Sequence, residues 1–233
     1  MSEIAAKRRA RQRAQTVGEI KQRAWSLLAK SGLESLSLRE VARQMEMAPS
    51  ALYRYFPSRN DLLTALIVEA FDSLADATSK AYDDVQTAEL PSKVESFIEV
   101  SRAYRRWAIT HRTEWALIFS SVIPDYNGTE LTTAASVRVT ATLTQVMADA
   151  AAAGEIDLDR IDAEIDDTMR AGLQTWAETD SITLPAPTLA ACLWCYAALH
   201  GAIALDLNKH LPPALLDNEA LFVTSLRAVL NHI

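Results

Sequence analysis

From Val17 onward apolar residues recur at three- and four-residue intervals. Val17, Ile20, Ala24, Leu27 and Leu28 form one stripe, with Thr16 placed to cap its start and Gly32 to stop it. A shorter period, Leu38, Val41, Ala42 and Met45, follows Ser37, and Glu40 stands three residues after that serine, the spacing of a capping box. Pro49 suits the first turn of a third short helix bearing Leu52 and Phe56, and Pro57 ends it. Ser58 and Asp61 open a long fourth helix whose stripe runs through Leu62, Leu63, Leu66, Ile67, Ala70, Phe71 and Leu74, to about Asp84. Helical patterns then occupy roughly 92–110, 113–121, 129–153, 161–178, 188–208 and 214–231. Pro91, Pro124, Gly154, Pro185, Pro187, Pro212 and Pro213 stand at their joints. No period-two run competes with them. The pattern predicts an all-α chain of about nine or ten helices. The acidic segment Glu155 to Asp167 is expected as a loop leading into a helix.

The first three helices, of about 15, 7 and 7 residues with a four-residue turn between the last two, have the spacing of a helix-turn-helix. Its second helix is narrow enough for the major groove of DNA. The expected organisation is a basic flexible arm over 1–15, a helix-turn-helix domain over 16–63 and a larger helical bundle over 64–233.

Charge sharpens this picture. The 233 residues carry a net charge of −7, yet residues 1–64 hold 12 Lys and Arg against 6 Asp and Glu. A basic first quarter on an acidic chain is suited to binding a polyanion locally. Composition is globular, with 49% apolar residues. The only cysteines, Cys192 and Cys195, lie three apart among apolar neighbours, so no disulfide framework is expected and a cytoplasmic location is. Lys7, Arg8, Arg9, Arg11 and Arg13 are followed by Gln15, Glu19, Lys21 and Gln22 rather than by the apolar core of a secretory signal. The Ala-rich run Leu189 to Leu205, interrupted by His200 and closed by Asp206, reads as a buried helix rather than a membrane span.

Three stretches carry a family resemblance. They are Ala24-x-x-Leu27-Leu28-x-x-x-Gly32-Leu33, Leu36-Ser37-Leu38-Arg39-Glu40-Val41-Ala42, and Ser50-Ala51-Leu52-Tyr53-Arg54-Tyr55-Phe56-x-Ser58-Arg59-x-x-Leu62. Together they resemble the TetR family of bacterial transcriptional regulators over about 45 residues. Further on, Tyr104-Arg105-Arg106-Trp107-Ala108 with His111, then Trp194 with His200-Gly201, look like the ligand-sensing C-terminal domain called the WHG type. The resemblance implies a homodimeric DNA-binding regulator whose second domain binds a small effector and releases the operator. Two departures stand out: Glu46 occupies the turn position where the family usually has Gly, and Ala48 replaces a small hydroxyl residue.

The residues suggest roles of their own. Ser37, Ser58 and Arg59, at the starts of the second and fourth helices, are candidates for DNA phosphates, and Arg39 of the second helix for a base or a phosphate. With Leu52 and Phe56 in the core, the outer faces of the third helix hold Pro49, Ser50, Ala51, Tyr53, Arg54 and Tyr55. The tyrosines can donate to phosphates, and the small residues allow close approach to base edges. Tyr104, Trp107, His111, Trp115, Phe119, Trp176, Trp194 and His200 are candidates for an effector pocket, with Tyr126 a further aromatic. Gly201 within an apolar helix suggests close packing, so helices 188–208 and 214–231 are the dimer candidates. No cofactor or metal is expected: Cys192-x-x-Cys195 lacks a second ligand pair, and Asp83-Asp84 and Asp166-Asp167 lack an aligned third carboxylate. Two alternatives have signatures of their own. A DNA-binding module without small-molecule control would show no effector-induced thermal shift, and an all-α enzyme would show no salt-dependent DNA binding.

Overall fold

A computed structural model describes residues 2–120, 122–216 and 218–233. Among the described residues it contains eleven α-helices and no strand. The chain divides into two compact units, one of Met1–Phe71 with Thr113–Thr133 and the other of Asp72–Arg112 with Ala134–Ile233.

The first unit opens with α1, Ser2–Ser31. Its first half is the basic segment expected as a flexible arm. That segment is helical because Ala, Arg, Lys and Gln dominate it and nothing before Gly18 breaks a helix. Thr16 is therefore no cap; its hydroxyl donates to Gln12 O, one turn back. Gly32, at φ 73°, ends α1 by donating from its N–H to Leu28 O. A 3-10 turn, Leu33–Ser35, leads to α2, Leu38–Gln44, capped by Ser37. Next come α3, Pro49–Leu52, and the start of α4, Arg59–Thr87.

Periodic positions from all four helices meet in one core: Ile20, Ala24 and Leu27 of α1, Val41 and Ala42 of α2, Leu52 and Phe56 at α3, and Leu62, Leu63 and Leu66 of α4. Burying each of the larger aliphatic side chains contributes about 1.5–3 kcal/mol, which short helices need because they are marginal alone. Glu69 ties α4 to α1, accepting from Lys21 Nζ at 2.9 Å and from Trp25 Nε1 at 3.0 Å. The segment 113–133 joins this unit through α6, Arg112–Trp115, and a π-helical turn, Ala116–Ser120. There Leu117 enters the core, Phe119 meets Phe71 edge-on, and Tyr126 hydrogen-bonds Thr64. The sequence reading assigned this segment to the second domain.

The second unit holds the rest of α4, with α5 (Lys93–Thr110), α7 (Glu130–Ala152) from Ala134 onward, α8 (Leu158–Glu164), α9 (Asp167–Thr179), α10 (Ala186–Leu207) and α11 (Glu219–Leu230). The helix expected over 161–178 is two helices: Ile165 is extended and Asp166 caps α9 by accepting from Met169 N. The acidic stretch expected as a loop therefore contains α8. α10 packs against α5, α8, α9 and α11. It is the one described helix long and apolar enough to cross a bilayer, with a mean hydropathy of 1.6. Thr188 to Cys192, Cys195, Leu199, Ile203 and Asp206 are buried along it, as befits the central helix of a bundle. Burial pushes the Cys192 and Cys195 thiols up to about 12.

Candidate nucleic-acid interface

The turn before α3 has a definite construction. Met47 N–H donates to Ala42 O and Glu46 N–H to Arg43 O, the paired bonds of a Schellman motif, and Glu46 sits at its left-handed position with φ 53°. The sequence departure from Gly thus falls on the residue whose backbone most favours Gly. Ala48 has the extended backbone of an N-cap but no side chain to serve as one. Pro49 provides the first turn, and α3 is shorter than expected: after Leu52 the chain tightens through Tyr53 to Tyr55, with Tyr55 N–H bonding Leu52 O.

Leu52 and Phe56 are buried as expected, which leaves Pro49, Ser50, Tyr53 and Arg54 exposed and Ala51 and Tyr55 half-buried. Tyr53 is 42% exposed. Tyr55 is covered by Arg13, whose guanidinium carbon lies 5.1 Å from the ring centroid and whose Nη2 donates to Arg54 O at 3.4 Å. Arg13 of α1 therefore lies against the turn that follows α3. Arg13 was legible only as one of a run of arginines, because its contact depends on α1 extending this far toward its N-terminus.

At the start of α2, Ser37 Oγ accepts from Glu40 N–H at 3.1 Å, but the capping box is only half formed. The Glu40 carboxylate instead accepts from Arg43 Nε at 2.8 Å and Gln44 Nε2 at 2.9 Å, and these bonds hold its carboxyl down at about 2. Ser37 and Arg39 are exposed, and Arg39 has no ion pair among the described residues.

Ser58 and Arg59 are placed differently from expectation. Ser58 N–H and Oγ–H both donate to Asp61 Oδ2, at 2.8 and 2.7 Å, and Asp61 N–H donates back to Ser58 Oγ. The start of α4 thus already holds a carboxylate, which would repel a phosphate. Arg59 donates from Nε to Leu36 O at 2.9 Å and from Nη2 to Leu33 O at 3.2 Å. Two donors of its guanidinium therefore fasten the loop between α1 and α2.

The residues expected around an effector occupy several settings. Trp115 and Phe119, 4.6 Å apart between ring centroids, belong to the first unit. In the second, Tyr104 is fully buried and its hydroxyl hydrogen-bonds His200 Nε2 at 2.8 Å, while the Tyr196 ring lies 4.1 Å from the His200 ring. Burial lowers the His200 pKa to about 4. Trp107 is buried, donates to Ser73 Oγ and stacks on His111, the C-cap of α5. Trp176 donates to Asp180 within its own helix end. Trp194 lines an open cavity of about 490 Å³ with Arg160, Glu164, Val229 and His232.

A family model described as bacterial regulatory proteins, tetR family, matches residues 20–66, and one described as tetracyclin repressor-like, C-terminal domain, matches residues 97–229. The chain is similar to the HTH-type transcriptional regulators Rv1816 of Mycobacterium tuberculosis and Mb1846 of Mycobacterium bovis. Each is 38% identical over 128 residues, covering 54% of this chain and 53% of the relative. The chain thus spans about half the length of the curated relatives it matches. Among solved structures it is similar to a regulatory protein, SCO4313, at 28% identity and a TM-score of 0.77 over 95% of this chain and 98% of that one. It shares its fold with a tetR family transcription regulator from Shewanella sp. PV-4, at 15% identity and a TM-score of 0.63 over 93% and 96% of the two chains.

Proposed function

This chain belongs to the TetR family of bacterial transcriptional regulators, with a helix-turn-helix DNA-binding domain, and on that premise we propose that it is a ligand-released, homodimeric repressor of a palindromic operator. The observation that carries the reading is the exposed surface of α3. Ser50, Tyr53 and Arg54 stand out from a core fastened by Leu52 and Phe56, with Arg13 beside them and Ser37 and Arg39 exposed at α2. In this reading Ser50 and Ala51 approach base edges, Tyr53 and Arg54 meet phosphates or bases, and Arg39 meets a phosphate. Arg59 fastens the loop between α1 and α2, and Ser58 with Asp61 closes the start of α4.

A dimer is supported by α10. Leu193, Ala197, Gly201 and Leu205 are exposed at four-residue intervals along it, and a Cβ built on Gly201 meets nothing within 4 Å. Nothing within the chain thus requires glycine there, whereas the close approach of a second α10 would. Two α3 helices in successive major grooves need centres about 34–36 Å apart. An effector that favours another spacing by about 2.7 kcal/mol lowers operator affinity 100-fold. A cytoplasmic location goes with this role.

Selection of bound duplexes from a random pool tests the reading. An enriched inverted repeat is expected. A single unrepeated half-site would remove the dimer from the proposal, and no enrichment at low salt would remove DNA recognition.

A further inference from the structure

In the second unit a buried ion pair forms part of the wall of a small cavity. Arg105 of α5 donates from Nη2 to Asp206 Oδ2 of α10 at 2.8 Å, and the two residues are only 6% and 8% exposed. The guanidinium also lies over the Phe222 ring of α11, 5.7 Å from its centroid. The cavity, of about 140 Å³, is lined by this pair together with Leu205, Leu221, Phe222, Ser225 and neighbouring residues, and Asn218 stands at the start of α11 beside them. Asn218 Oδ1 accepts from Leu221 N–H at 3.0 Å, and Ser225 Oγ–H donates to Leu221 O at 2.9 Å. Mainly donors are left over: Nε and Nη1 of Arg105, which have no hydrogen-bond partner among the described residues, and Nδ2 of Asn218.

A buried ion pair stabilises a fold no better than apolar residues of the same volume, so its presence at a cavity wall suits recognition more than stability. We propose that this cavity binds a small uncharged amphiphile, an acceptor oxygen on a short alkyl chain. Its oxygen takes the spare donors of Arg105, and its chain lies against Leu205, Leu221 and Phe222. The volume is less than half that of the smallest drug-sized pockets, which limits the occupant to fragment size.

Charge decides the ligand class. Asp206 already neutralises Arg105, so a carboxylate would bring an unbalanced negative charge beside the buried Asp206 carboxylate. An ammonium would face Arg105 directly. A carbonyl oxygen adds no charge and satisfies donors that have no acceptor among the described residues. The cavity lies between α10 and α11, so an occupant alters the packing of the helices assigned to the dimer. That consequence rests on reading this unit as the effector-binding one.

Thermal unfolding of the full chain without DNA, in the presence of hexanamide, sodium hexanoate or hexylammonium chloride, tests the proposal. Hexanamide is expected to raise Tm by about 3–5 °C at roughly ten times its Kd, and the two ions to leave Tm unchanged. Ala202→Leu fills the cavity from its edge and spares the ion pair. The double variant Arg105→Met with Asp206→Leu replaces the pair by apolar side chains. Both are expected to lose the response, and if one fails to fold the other carries the test. Hexanoate acting as well as hexanamide would overturn the ligand class. No response to hexanamide, or an undiminished response in the folded variants, would overturn the site. Because the assay holds no DNA, its failure is separate from failure of the DNA-binding reading, which the duplex selection decides.

Discussion

At the level of single residues, Glu46 and His200 are held in unfavourable settings. Glu46 carries a side chain at φ 53°, so Glu46→Gly removes a strain of about 1 kcal/mol and adds back some freedom to the unfolded chain. Stability is expected to stay level or to rise by at most that amount, and a clearly lower Tm would mean that the Glu46 side chain contributes an attraction of its own. His200 has the opposite sensitivity to acid from a histidine with an anionic partner. Its folded pKa of about 4 lies below the unfolded value of 6.5, so between these two pH values the unfolded chain binds the proton and the folded one does not. The stability it allows is whole above pH 6.5 and falls as pH drops toward 4, by about 3 kcal/mol if burial alone sets the shift. Urea midpoints from pH 7 to pH 4 should therefore fall less steeply in His200→Gln than in the wild type; parallel curves would show that His200 is solvated.

Helices bring together residues that stand far apart along the chain, and this is where sequence reading succeeds and stops. The stripe from Ile20 to Leu28 and the stripe from Leu62 to Ile67 each point to one buried face, because a period of 3.6 allows no other. Ser37 as a cap and Glu46 as a strained turn residue were likewise legible, since both depend on neighbours within five residues. Arg59 was not. A basic residue at a helix start reads as an anion ligand, and only the fold brings Leu33 and Leu36 carbonyls under its guanidinium. The same limit hid the ion pair of Arg105 with Asp206, which lie 101 residues apart. Arg59→Ala is accordingly expected to cost about 1.5–3 kcal/mol in stability and to leave the salt dependence of DNA binding unchanged, whereas Arg39→Ala should reduce that slope by about 0.9 and leave Tm in place. Measuring binding from low to moderate salt for both variants checks the assignment, and a reduced slope for Arg59→Ala would return it to the phosphate contacts.

For the molecule as a whole, function in this reading depends on a second copy. Leu193 and Leu205 are 40% and 44% exposed on one face of α10, so Leu205→Arg is expected to give a folded monomer with at least 100-fold weaker operator binding. Sedimentation equilibrium checks this, and an unchanged mass would move the dimer face elsewhere. The same helix has a practical consequence for experiment. Both of the chain's sulfhydryls are buried and pushed up to about 12, so little thiolate forms at neutral pH and peroxide and maleimide are expected to react slowly with them. A cysteine introduced at Ser31, exposed at the end of α1 and outside the surface assigned to DNA, would be the most reactive handle on the native protein, ready for a fluorophore that reports each encounter with a duplex.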